Sequence, residues 1–278
     1  MSKIEWTDRT WNPNQGCTKK STGCINCYAE PMHKRLKAMG IDKYQKDFNV
    51  VQLWLAALTE PTKWKKPSMV FVNSMSDTFH RNLTFKQIDQ VFNTMDHCKR
   101  HTFQVLTKRP DRALEYITWK RKQLSDQLGI QSKWKPAANI WFGATIENQE
   151  NANERIPLLL QIPAAKHFVS IEPMLGSVNL EHIDKFNENG NVESRINAFS
   201  FLDWVICGGE TGPNARPMHI EHVYELLEDC RDYKMPFFFK SWGEWQGTSC
   251  GKGYLMQRVG KKKAGCKING VEFKEFPV

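Results

Sequence analysis

Three cysteines, Cys17, Cys24 and Cys27, fall within eleven residues in the spacing C-x6-C-x2-C. Thiolates are soft donors that suit zinc or iron–sulfur clusters. Gly16 and Gly23 let the backbone turn tightly around a ligand, since glycine takes positive φ without penalty. Cys27 precedes a helix expected over Tyr28 to Ala38, whose N-terminal field lowers a thiol pKa. A cubane cluster held by three thiolates keeps one iron open to a small molecule. A structural zinc needs four ligands, and His33 is the nearest candidate for the fourth. Three unliganded thiols are the remaining alternative. Cys98, Cys207 and Cys230 sit in apolar patterns and read as core, whereas Cys250 and Cys266 are a weak candidate pair for a second metal.

A second set of polar residues recurs just after short apolar runs. It comprises Asn73-Ser74 with Ser76-Asp77, then Thr107-Lys108-Arg109, and Thr145 with Glu147-Asn148. Ser170 with Glu172-Pro173, Gly208-Gly209-Glu210 and Lys240-Ser241 complete it. Carboxyl ends of parallel strands share one rim, and ligands bind there. Ordinary helix capping accounts for one or two such groups and strains to account for six. Asn73, Ser74, Lys108, Glu147, Ser170, Glu172, Gly208, Gly209, Glu210 and Lys240 are therefore the candidate cofactor-binding residues. Each charged member has the alternative of a buried ion pair.

The elements that must position these residues are legible as alternating periodicities. Strands are expected at Val70–Asn73, Thr102–Leu106, Ile140–Gly143, His167–Ser170, Trp204–Cys207 and Phe237–Lys240, with another near Thr10-Trp11. They are continuous apolar runs, as in parallel sheets covered on both faces. Helical spacing appears in Phe85, Ile88, Val91, Phe92 and Met95 behind Thr84 and Gln87, a capping-box pattern. It returns in Ile220, Val223, Leu226, Leu227 and Cys230, and helices are expected over 111–128 and 148–161. Pro157 should interrupt the last of these or delay its start. The order βαβα predicts an α/β fold with parallel strands, a complete or partial (β/α) barrel of TIM type. A doubly wound open sheet is the alternative. The expected organisation is a barrel domain over 1–243 and a basic C-terminal extension over 244–278.

Composition narrows the class. The 278 residues are 40% hydrophobic, enough for a sizeable core, and carry a net charge of +9. That excess favours a polyanionic partner. It is uneven: residues 99–135 hold ten Lys/Arg against three Asp/Glu, and 252–278 hold seven against two. The first stretch contains Trp119 and Trp134, a candidate nucleic-acid face or a solvated helix. No apolar run reaches the ~20 residues of a membrane span. Met1 to Asp8 lacks a signal-peptide core, so a cytoplasmic protein with reduced thiols is expected.

The three-cysteine loop running into Cys27-Tyr28-Ala29, ahead of repeated βα units, resembles the radical S-adenosylmethionine superfamily. More closely, the chain resembles a phage-associated family of uncharacterised proteins marked by this motif. The matching stretches include Ile4–Asp8, Thr10–Pro13, Phe71–Asp77, Gln104–Pro110, Ser170–Gly176, Asp203–Met218 and Phe237–Gly243. The superfamily resemblance implies a partial TIM barrel and a [4Fe-4S] cluster on Cys17, Cys24 and Cys27. It also implies S-adenosylmethionine chelating the fourth iron, an electron donor, and reductive cleavage to a deoxyadenosyl radical. The superfamily has three residues between its first two cysteines where this chain has six, and its Gly-Gly-Glu follows an earlier strand. The expected function is modification or repair of a nucleic acid or nucleotide. The alternatives are a zinc-stabilised nucleic-acid-binding protein without catalysis and a non-radical S-adenosylmethionine-dependent transferase.

Overall fold

The computed structural model describes residues 4–250 and 253–278. Met1 to Lys3, part of the stretch read for a leader, and Lys252 of the basic tail lie outside the described residues. The chain forms two compact units. The first comprises Met1–Lys20, Ala29–Ala144 and Leu158–Lys166, and the second Ser21–Tyr28, Thr145–Pro157 and His167–Val278.

The first unit contains β1 (Arg9–Trp11), β2 (Asn14–Gln15), α1 (Ala29–Ala38), β3 (Gln52–Leu53), β4 (Met69–Val72) and α2 (Phe85–His97). β5 (Thr102–Thr107), α3 (Pro110–Leu128) and β6 (Ile140–Thr145) follow, with Thr145 counted in the second unit. Strands β1, β4, β5 and β6 are neighbours in that order and all parallel. Register is set by Thr10 opposite Phe71, Phe71 opposite Gln104 and Gln104 opposite Trp141. Val70, Val72, Phe103, Val105, Phe142 and Ala144 are buried, as are Ile88, Val91, Phe92 and Met95 of α2. Phe79, Phe92, Tyr116 and Phe142 form one aromatic cluster. The capping box is present: Gln87 N–H donates to Thr84 Oγ1 at 3.3 Å, and Thr84 N–H to Gln87 Oε1 at 2.9 Å.

The second unit takes in α4 (Gln149–Leu159), whose last two residues count with the first, then β7 (His167–Ile171), β8 (Ile183–Phe186), β9 (Val192–Ile196) and β10 (Trp204–Cys207). It continues with α5 (Ile220–Asp232), β11 (Phe237–Phe239), β12 (Trp245–Cys250), β13 (Gly253–Arg258) and α6 (Lys261–Ala264). Here β7, β10 and β11 are parallel neighbours in chain order. Every residue of β10 and β11 is buried, which explains their uninterrupted apolar sequences.

Every strand of the parallel sheets was legible in the sequence, and three other features were not. Pro157 lies inside α4 rather than delaying it: the helix starts at Gln149 and ends two residues past the proline. The ring forfeits the bond to the carbonyl of Asn153, and the helix runs only two residues further. Between β7 and β10 stands an antiparallel hairpin, β8–β9, instead of a helix. Its signal was Asn189-Gly190, with Gly190 at φ 77°. Finally, the C-terminal segment covers the edge of β11: Phe239 N–H donates to Phe273 O at 2.8 Å and Glu275 N–H to Phe237 O at 3.2 Å. Among the described residues no helix is long and apolar enough to cross a membrane.

Thr84→Ala removes the cap from α2 and is expected to lower stability by about 1 kcal/mol. A urea titration with an unchanged slope and a lowered midpoint checks this.

Candidate functional site

The cysteine-bearing segment is held by carboxylates that follow the strands, each paired with an arginine. In the first unit the carboxylate is Asp77, after β4. Its Oδ1 accepts Thr107 Oγ1 at 2.8 Å, and its Oδ2 accepts Lys108 N–H at 3.1 Å and Arg109 Nη1 at 3.0 Å. Arg109 and Asp77 are both nearly buried. The other arm of Arg109, Nη2, donates to Thr18 O at 3.0 Å, one residue past Cys17.

His80 meets Thr18 from the same loop. Asn82 N–H donates to His80 Nδ1 at 3.2 Å, so the ring proton sits on Nε2, which lies 2.7 Å from Thr18 Oγ1. Burial lowers the His80 pKa, the Arg109 charge lowers it further, and Asp77 opposes both; a neutral ring is the form this geometry needs. Ser76 Oγ donates to Gly16 O at 2.6 Å and Cys17 N–H to Phe48 O at 2.7 Å. Gly16, at φ 76°, has no room for a side chain: a Cβ would lie 2.4 Å from Val50 O. The backbone on both sides of Cys17 is therefore fixed.

Asn73 adopts φ 63°, an uncommon conformation for a residue other than glycine, and its side chain holds it there. Asn73 Nδ2 donates to Thr78 Oγ1 at 2.6 Å and its Oδ1 accepts Asn14 N–H at 3.2 Å. Ser74 Oγ donates to Asn12 Oδ1 at 3.1 Å. Both candidate residues thus brace the segment leading to Cys17.

In the second unit Glu147 and Arg155 form a pair with side chains at most 1% exposed, Nη1 to Oε2 at 2.8 Å. Arg155 also donates to Thr145 O at 2.6 Å. The other oxygen, Glu147 Oε1, accepts Ser21 Oγ at 2.6 Å, and the same hydroxyl lies 3.9 Å from Cys24 Sγ. Gly23 packs against this carboxylate so closely that a Cβ would lie 2.4 Å from Oε1.

Glu210, after β10, repeats the device. It accepts Arg216 Nη2 and Nε at 2.5 and 2.9 Å and Asn26 Nδ2 at 3.0 Å. Arg216 Nη2 reaches Thr22 O at 3.1 Å. Burial alone would raise the Glu210 carboxyl pKa; hydrogen bonds from Arg216 and Asn26 outweigh it and hold the group below its ordinary range. Glu172 and Lys240 form an ion pair beside Gly208, where a Cβ would come 3.3 Å from Lys240 Cβ. Beside Gly209 the space is taken by Trp242 O, 2.3 Å from a would-be Cβ. The two glycines therefore let the 241–243 backbone approach β10. Ser170 is buried within β7, and its carbonyl accepts Ile146 N–H at 3.0 Å.

The remaining sequence candidates separate cleanly. His33 is a core residue: it is 1% exposed, its Nε2 meets Lys46 O at 2.8 Å, and its ring packs edge-on against Tyr44 and Phe48. Cys98, Cys207 and Cys230 are buried, and burial raises each thiol pKa. Cys17, Cys24 and Cys27 are half-buried and free of disulfides; Cys250 is exposed and Cys266 half-buried, and both are free. Among the described residues no three His, Cys, Asp or Glu side chains gather as the ligands of a metal ion would.

Arg155, Arg216, Ser21 and Asn26 were missed by the sequence reading, since nothing in their local spacing marks them. Lys43 was also missed: it donates to Asn12 O, and burial, opposed by Glu60, lowers its pKa to about 8. So were Asn14 and Gln15, just before Gly16. Both are 0% exposed, yet neither side chain has a hydrogen-bond partner for its oxygen or nitrogen. Buried amides without partners are uncommon and ask for a cause.

The fold and this arrangement define a mixed α/β protein whose parallel strands end in carboxylate–arginine pairs that grip a thiol-bearing loop. The chain belongs to a family described as proteins of unknown function, DUF5131, whose profile matches residues 1–277. No curated protein and no solved structure matches it.

Gly23→Ala forces a methyl group onto the Glu147 carboxylate and is expected to lower stability by about 1–3 kcal/mol. Gly176→Ala, where a Cβ meets only Asn148 Cβ at 3.5 Å, serves as the mild control in the same denaturation series. Gln15→Met removes unpaired buried polar atoms at similar volume. It is expected to raise stability by about 1–3 kcal/mol, measured by calorimetry.

Proposed function

We propose that this chain is an iron–sulfur enzyme of the radical S-adenosylmethionine kind that modifies or repairs a nucleic acid or nucleotide. The observation that carries the reading is the chemistry of the eleven-residue loop. Its three cysteines are half-buried, while the chain's core thiols are closed off by burial. The donor set fits a thiophilic cluster, and the unpartnered amides of Asn14 and Gln15 beside Gly16 fit a polar ligand that supplies their missing hydrogen bonds. Ligand thiolates need not be preassembled, since coordination and local ordering are commonly coupled.

Cys17, Cys24 and Cys27 would hold the cluster, with S-adenosylmethionine at the iron that lacks a protein ligand. When bound, the group supplies one-electron chemistry, drawing on an electron donor. The chain's own residues orient and shield. Thr18, Ser21, Thr22 and Asn26 are gripped by Arg109, Glu147, Arg216 and Glu210 respectively, which limits how far the thiols can drift. The Glu172–Lys240 pair presents both charges, each half-buried, to a ligand's ammonium and carboxylate. Supporting the same reading, the parallel strands of each unit follow chain order without the reversal of a doubly wound sheet. A partial (β/α) barrel is the architecture we infer from this.

The test is anaerobic purification with iron, sulfide and zinc analysis. About four irons per chain are expected, lost in Cys24→Ala and retained in Cys250→Ala. A single zinc per chain would favour the non-catalytic nucleic-acid-binding alternative. Iron retained in Cys24→Ala would falsify the assignment of the loop.

A further inference from the structure

The nucleic-acid part of that reading needs a surface for phosphates, and the chain's two basic stretches differ sharply in what their charges already do. In α3 most are engaged and Lys122 is exposed. Lys120 pairs with Asp89 at 2.7 Å, Arg112 pairs with Glu115 at 2.7 Å and lies over the Phe85 ring, and Arg121 donates to Trp134 O at 2.9 Å. The rings of Trp119 and Trp134 pack on Tyr116 and are half-buried. Helix α3 thus spends most of its cations on neighbours within the first unit.

The C-terminal stretch is different. Residues 245–271 contain six Lys/Arg and no Asp or Glu. Arg258, Lys261, Lys262 and Lys263 are exposed, and among the described residues none has a carboxylate partner. Glu244, the acid next to the stretch, accepts backbone N–H groups instead, Gly212 at 3.0 Å and Lys261 at 3.2 Å. Arg258 Nη2 donates to Gly212 O at 2.8 Å, which orients the guanidinium and leaves its charge uncompensated. Val259 to Lys263 line an open depression of about 520 Å3. On the adjoining strand β13, Tyr254 is 37% exposed with its ring edge-on to Tyr224, and Leu255 is 64% exposed.

We propose that β13, the turn after it and α6 form a docking surface for nucleic acid, with Arg258 and Lys261 to Lys263 on the phosphates and Tyr254 against a base. Uncompensated cations beside an exposed ring match a charged backbone carrying stackable bases. A lipid surface fits less well, because α6 is four residues long with three lysines and has no apolar face to insert.

The inference deepens the proposed function and is tested separately from it. Binding of a labelled single strand of about 20 nucleotides is followed by fluorescence anisotropy between about 50 and 200 mM salt. In the full-length protein, replacing Lys261, Lys262 and Lys263 by alanine together is expected to weaken binding about tenfold or more. The slope of log affinity against log salt should fall by about 2, near 0.7 per lost contact. Tyr254→Ala lowers affinity with the slope kept. Replacing Lys122, Lys133 and Lys135 by alanine, the same charge change at other exposed positions, leaves the slope unchanged. An equal fall in both triple variants, no binding by the wild type, or preference for phosphatidylserine vesicles over the strand overturns the surface. Iron content read on the same preparations keeps the outcomes apart. Normal iron without strand binding sinks this inference alone, and strand binding without iron sinks the cluster alone.

Discussion

A carboxylate that cannot reach water must be neutralised where it stands, and Glu147 is such a group. Glu147 and Arg155 are 0% and 1% exposed, so each carries a large desolvation penalty that only a well-made pair offsets. Arg155 answers one oxygen and the Ser21 hydroxyl the other. The Ser21 hydroxyl thus makes the cysteine loop part of the second unit's interior electrostatics. Deleting one partner of such a pair typically costs about 3–5 kcal/mol.

The same device occurs three times. Asp77–Arg109 takes hold of Thr18, Glu147–Arg155 of Ser21, and Glu210–Arg216 of Thr22 and Asn26. In each case the acid follows a parallel strand and the arginine lies 6 to 32 residues beyond it. Because each pair is nearly neutral, it adds rigidity without adding much net charge around the thiols. Among the described residues, Arg258 and Lys261 to Lys263 of the C-terminal basic stretch are exposed without a carboxylate partner. Fixed, compensated charges beside the thiols and uncompensated ones on another surface divide positioning from attraction.

Much of this architecture was legible. Six parallel strands announced themselves as apolar runs, a seventh was expected near Thr10-Trp11, and Thr84 with Gln87 marked the start of α2, because these signals lie within a few residues. The polar groups following the strands were legible as a set. What they bind was not. Asn73 and Ser74 brace the segment before Cys17 through Asn14 and Asn12, and Gly209 makes room for Trp242, not for open space. Composition likewise counts charges in α3, whereas pairing depends on neighbours such as Asp89, which lies 31 residues from Lys120.

The spacing of three thiols, the alternation of strands and helices, and the uneven distribution of charge are properties of short stretches of chain, and the sequence determined them by itself. Which carboxylate meets which arginine, and which loop atom completes the pair, was decided only in three dimensions. The bonds that grip the cysteine segment join residues 91, 126, 184 and 194 positions apart. No periodicity reaches that far. Such partners are chosen by burial, which penalises any charge left alone and so selects the one arrangement in which each is answered.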